Sequence, residues 1–131
     1  YAFREYVAAL NRFYLGSREL WELDFNPSGF SWVLSDAADE NTVVYKRFSK
    51  SGRELTVAIS FSGRAWEIEI PTRGLGFRVI FDTAGDTEKR EYRPDPNSVC
   101  RITLPAYRGI VMREVEEYKT IELDKGENDV L

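Results

Sequence analysis

The chain has 131 residues, enough for one domain with its own core and short for two. Hydrophobic residues make up 43% and charged residues 31%, a globular balance that excludes a disordered chain. The formal net charge is −4 with no basic patch, which argues against nucleic acid or an anionic membrane surface as partner.

Histidine is absent, which removes Ser-His-Asp and Cys-His catalysis. With a single cysteine, Cys100, an intramolecular disulfide is impossible and neither a metal site nor a cofactor is expected. No apolar run approaches the roughly 18 residues of a membrane span. The N-terminus lacks the layout of a signal peptide, so a soluble cytoplasmic protein is expected. The chain opens on Tyr1 inside a helical pattern, which suggests a cut from something longer.

From Ala2 to Leu15, Phe3, Tyr6, Val7, Leu10, Phe13 and Tyr14 recur at three and four, an amphipathic helix that needs a partner surface. Gly16 follows where a left-handed residue ends many helices. The stretch Trp21 to Trp32 then joins this helix to the rest. Its Asn26-Pro27-Ser28-Gly29 centre is turn chemistry, with Gly29 able to take positive φ. Trp21, Phe25, Phe30 and Trp32 around it make the stretch a packed joint.

Ser35 to Asn41 reads as a polar loop. Asp36, Asp39, Glu40 and Asn41 supply oxygens of the kind calcium takes, but without the glycine and spacing of an EF-hand, so a solvated turn is expected. Strand signals follow in series: Thr42 to Phe48, then Glu54 to Phe61, where Leu55, Val57, Ile59 and Phe61 are expected on the core face. Trp66, Ile68 and Ile70 alternate with Glu67 and Glu69. Phe77, Val79 and Phe81 continue the pattern, Thr87 to Arg93 is an exposed edge strand or loop, and Cys100, Ile102 and Leu104 share a face. Tyr107 to Val115 is the last strand, and Glu116 to Leu131 is a charged tail. One helix followed by seven or eight strands makes the chain all-β, an antiparallel sandwich of Greek-key type preceded by an amphipathic helix.

No pair of carboxylates has a catalytic motif around it, since Glu67 and Glu69 point off a solvent face and Asp82 and Asp86 lie in a turn. Cys100 reads as a small buried hydrophobe. Trp66 reads as core. Phe30 and Trp32, beside a glycine-containing turn, are open either to packing or to stacking on a sugar ring, and Asp36 in the adjacent loop joins them as a glycan-contact candidate.

Leu10-Asn11-Arg12-Phe13-Tyr14, Leu20 to Phe25 and Gly29-Phe30-Ser31-Trp32 resemble the L-N-x-x-Y helix, the L-x-x-x-D-F segment and the G-F-x-W turn of bacterial glycogen branching enzymes, at the same spacing. There these mark the end of the catalytic barrel and the start of the C-terminal domain. Leu55 to Phe61, Trp66 to Pro71 and Leu104 to Arg113 are similar to later strands of that domain. Ser60 replaces an Asn, and Thr87 to Glu91 replace a Y-G-G-S-G stretch.

The resemblance implies residues 1–24 as the last barrel helix and joint, 25–117 as an α-amylase-type C-terminal sandwich, and 118–131 as tail. It implies that the parent enzyme transfers α-1,4-glucan segments to 6-hydroxyls, with its catalytic Asp and Glu on the missing barrel and none in this chain. The implied partners are that barrel, docking on Phe3, Val7, Leu10, Tyr14 and Trp21, an α-glucan, and a second copy through the N-terminal helix. The alternatives are a carbohydrate-binding module of another amylase-superfamily enzyme, or a protein-interaction sandwich.

Overall fold

A computed structural model describes residues 2–34, 41–85 and 90–115. Helix α1 (Ala2–Gly16) is followed by two single 3-10 turns, Arg18–Leu20 and Pro27–Gly29. The strands are β1 (Phe30–Leu34), β2 (Thr42–Phe48), β3 (Glu54–Ser60), β4 (Trp66–Pro71), β5 (Phe77–Asp82), β6 (Glu91–Tyr92), β7 (Val99–Leu104) and β8 (Gly109–Glu114). They form a six-stranded sheet in the order β1-β2-β3-β8-β5-β6 and a two-stranded sheet of β4 and β7, every pair antiparallel. The chain crosses between sheets before β8 returns between β3 and β5, a Greek-key-type connection. The expected all-β sandwich with one N-terminal helix is the fold observed.

The core lies between the sheets. Val44, Ala58, Phe77, Ile110 and Met112 from the large sheet meet Ile68, Ile70, Cys100, Ile102 and Leu104 from the small one. The alternation of β4 and β7 is realised as expected: Ile68, Ile70, Cys100, Ile102 and Leu104 are buried while Glu67, Glu69, Arg101 and Thr103 face outward. Trp66 is half-buried, its indole N–H donating to Ser62 Oγ at 2.8 Å and its ring carrying the Arg64 guanidinium at 4.0 Å.

On β3 Leu55 and Val57 are buried as expected, but the inter-sheet face is the opposite one. Ala58 joins the inter-sheet core, while Val57 and Ile59 turn to the other face, toward α1. Phe61 lies beyond the strand and is 63% exposed. Alternation alone marks two faces without saying which is inside, and here both are covered, because α1 packs on the outer face of the large sheet. Phe81 also departs from the expected alternation. The register of β5 with β8 shifts between Val79 and Phe81, a bulge that sends Val79 toward the core and Phe81 to the helix side.

Helix α1 closes onto this outer face through aromatic contacts: Phe13 stacks on Phe81 at 4.7 Å between ring centroids, and Tyr6 meets the same ring at 6.3 Å. Gly16 is the last helical residue and does not take positive φ; the exit is instead closed by Ser17 N donating to Tyr14 O at 3.2 Å. Gly29 also keeps negative φ and is needed for space. A Cβ there would sit 2.6 Å from both the Cβ and the carbonyl oxygen of Leu23. Asn26 caps the turn at Pro27, its Oδ1 accepting from Ser28 N at 3.0 Å and Ser28 Oγ at 2.8 Å.

The joint is only partly packed. Trp21 and Phe30 are half-buried, whereas Phe25 is fully exposed. What binds the joint to the sheet is polar: Glu19 Oε2 accepts from Arg113 at 2.7 Å, Asp24 Oδ1 from Arg47 at 2.6 Å, and Glu22 Oε1 from Lys50 N at 2.7 Å.

Candidate functional site

β1 is an edge strand, and its two-residue side-chain period puts Phe30 and Trp32 on one face. In the register with β2, Trp32 stands opposite Tyr45. The three rings form one cluster: Phe30 and Tyr45 stack at 5.1 Å, Trp32 meets Phe30 edge-on at 5.0 Å and Tyr45 at 6.2 Å. Trp32 remains 55% exposed, so the cluster holds the ring in place without covering it. No local pattern marks Tyr45, because its position opposite Trp32 depends on a pairing register between β1 and β2. Burial pushes the Tyr45 hydroxyl up, with Arg47 pulling the other way, so it stays a neutral donor. Asp36 lies outside the described residues.

Beside this cluster is a pocket of about 360 Å³ lined by Tyr14, Leu20, Asp24, Phe30, Tyr45 and Arg47. Between α1 and the sheet lies a separate apolar cavity of about 180 Å³, bounded by Leu10, Phe13, Leu20, Val57, Ile59 and Phe81 among others. Of the helix residues read as barrel contacts, Phe3 is 77% exposed and Leu10 38%, while Val7 is half-buried and Tyr14 borders both spaces. Trp21 is half-buried, and its indole N–H has no hydrogen-bond partner among the described residues, a cost of about 1–3 kcal/mol.

Glu67, Glu69, Asp82 and Glu114 have structural partners. Glu67 and Glu69 lie across from Arg101 at 3.8 and 4.0 Å on an exposed face. Asp82 is buried, paired with Arg90 and Arg108 and accepting from Ala84 N at 2.8 Å. Glu114 holds the turn after β4 by accepting from Thr72 Oγ1, Arg73 N and Gly74 N. Burial works to raise its pKa, but these hydrogen bonds outweigh that and hold it low. Cys100 is buried, its thiol pushed up first by burial and then by Glu114 and Asp95, which is the opposite of an activated nucleophile. Among the described residues no group of three or more His, Cys, Asp or Glu is arranged to hold a metal, and no helix is long and apolar enough to cross a membrane.

No family model matches the chain. Over 126 residues it is 32% identical to the 1,4-alpha-glucan branching enzyme GlgB of Kitasatospora aureofaciens, covering 84% of this chain and 16% of that protein. The corresponding enzyme of Thermobifida fusca is 41% identical over 61 residues, 47% of this chain and 8% of that one. The chain thus spans a small part of the length of these relatives. In fold it is similar to part of the crystal structure of alpha-amylase from H. orenii, with a TM-score of 0.60 over 85% of this chain and 20% of that one at 20% identity. The sequence match and the fold match each extend over most of the chain. Along most of its length the chain is therefore similar to bacterial 1,4-alpha-glucan branching enzymes, of which it spans a small part.

Proposed function

We propose that this chain serves as the C-terminal accessory domain of an enzyme that transfers α-1,4-glucan segments to 6-hydroxyl groups, bracing the catalytic barrel and offering the glucan an aromatic contact. The 126-residue similarity to a branching enzyme carries this reading. In such an enzyme the Asp that forms the covalent glycosyl intermediate and the Glu that acts as acid and base belong to the barrel. What this chain adds is support and position.

The bracing surface is the face of α1 that the sheet leaves open. Tyr6 and Phe13 are spent on Phe81, whereas Phe3 and Leu10 stay exposed, and apolar exposure of that kind suits a packed neighbour. The glucan contact is Trp32, held by Phe30 and Tyr45 with its ring open, as a flat partner for a pyranose face requires. The enzyme is expected in the cytoplasm. Titration with maltoheptaose, followed by tryptophan fluorescence, tests the contact: a saturable change that Trp32→Ala abolishes is expected, and unchanged affinity in that variant would retire Trp32.

A further inference from the structure

The pocket beside the aromatic cluster has a composition that the platform alone does not explain. Phe30 and Tyr45 belong to both, so a chain lying across Trp32 would run on into this space. Its lining combines three aromatic side chains and Leu20 with one acid and one base. At about 360 Å³ it falls at the low end of the range for small-ligand pockets.

Arg47 and Asp24 are arranged for hydrogen bonding in different ways. The Arg47 side chain is only 15% exposed and is fixed by Asp24 Oδ1 at 2.6 Å and Leu20 O at 3.4 Å. Asp24 keeps 40% of its side chain exposed. A guanidinium donates only and a carboxylate accepts only, and together they carry no net charge. Such a pair suits adjacent hydroxyls of a neutral polyol, one accepting and one donating, with the ring body against Phe30 and Tyr45. An anion such as a sugar phosphate would meet the carboxylate and gain little.

We propose that Tyr14, Asp24, Phe30, Tyr45 and Arg47 form a subsite for one neutral pyranose unit of an α-glucan, with Asp24 and Arg47 reading its hydroxyls. This rests on the glucan reading above and extends it from a flat platform to a pocket with polar recognition. Because Tyr14 comes from α1 and Asp24 from the joint, the subsite is complete only when the helix is seated on the sheet.

The test is a maltotriose titration of the chain followed by amide chemical shifts, with glucose 1-phosphate as the anionic comparison. Saturable shifts at Asp24, Tyr45 and Arg47 are expected, with weaker binding of the phosphate. Asp24→Asn should lower maltotriose affinity about tenfold, the effect of losing a hydrogen bond to a charged group. That pair also clips the joint to β2, so Tyr14→Ala serves as the second variant: it removes a wall of the pocket from a helix position that is 41% exposed and leaves the pair intact. A several-fold loss is expected there also.

Binding lost in Trp32→Ala but unchanged in both Asp24→Asn and Tyr14→Ala would overturn the subsite and keep the platform. Loss in Asp24→Asn and Tyr14→Ala with Trp32→Ala unaffected would support the subsite and overturn the platform. Tighter binding of glucose 1-phosphate, or no shift at millimolar maltotriose, would overturn the subsite.

Discussion

Glu19 and Arg113 make the most deeply buried of the polar ties between the joint and the sheet. Glu19 is 3% exposed, and Arg113 comes from β8, so the pair ties the first turn after α1 to the centre of the large sheet. Burial works to raise the Glu19 pKa, but a backbone hydrogen bond and the Arg113 guanidinium outweigh it and hold the carboxyl below its ordinary range. The folded pKa is therefore lower than the unfolded one. The pair's stabilisation is complete above about pH 4.3, the ordinary Glu value, and is lost as pH falls through the folded pKa. Replacing the carboxylate by an amide leaves a partly buried guanidinium without its counter-charge. Glu19→Gln should cost about 2 kcal/mol at neutral pH, less than a fully buried pair because Arg113 reaches solvent, and the difference from wild type should shrink in acid. Urea unfolding at neutral and acid pH measures both; an equal cost at both would show that charge is not the cause.

At the scale of elements, the seat of α1 rests on few contacts. Phe81 meets both Phe13 and Tyr6, and a cavity of about 180 Å³ remains beside them. A helix held by one aromatic clasp and polar ties should open more readily than the sheet beneath it. Phe81→Ala should destabilise by about 2 kcal/mol and speed amide exchange along α1 while β3 and β8 stay protected, because Phe81 lies outside the inter-sheet core. Exchange rising equally in β3 and β8 would mean that helix and sandwich unfold as one unit. The bulge on β5 that aims Phe81 at the helix is what makes this clasp possible.

For the whole molecule, the proposed bracing role makes the open face of α1 the contact with a catalytic barrel. Phe3→Asp puts a charge on an exposed side chain, so the chain alone should lose little stability, within about 0.5 kcal/mol. In the whole enzyme the same change should lower the melting temperature, since a charge would be buried at the contact. An unchanged melting temperature of the whole enzyme would remove Phe3 from that contact. Sedimentation of the chain at rising concentration separates this from pairing of two copies, which Phe3→Asp would abolish.

Much of this was legible in the residues. The helical stripe from Phe3 to Tyr14, the turn residues and the alternating runs determined one helix, strands at Thr42–Phe48 and Trp66–Pro71, and an all-β sandwich, because periodicity and turn chemistry are local properties. The motif spacing from Leu10 to Trp32 likewise pointed to the branching-enzyme family. The tertiary structure decided which face of β3 is covered by what, where Phe81 points, that Phe25 is left in solvent, and that Tyr45, Asp24 and Arg47 gather beside Phe30. Those outcomes depend on strand register, a bulge and the docking of α1 on a sheet whose strands come from distant parts of the chain. Such contacts are fixed by packing between remote residues, which no local pattern encodes.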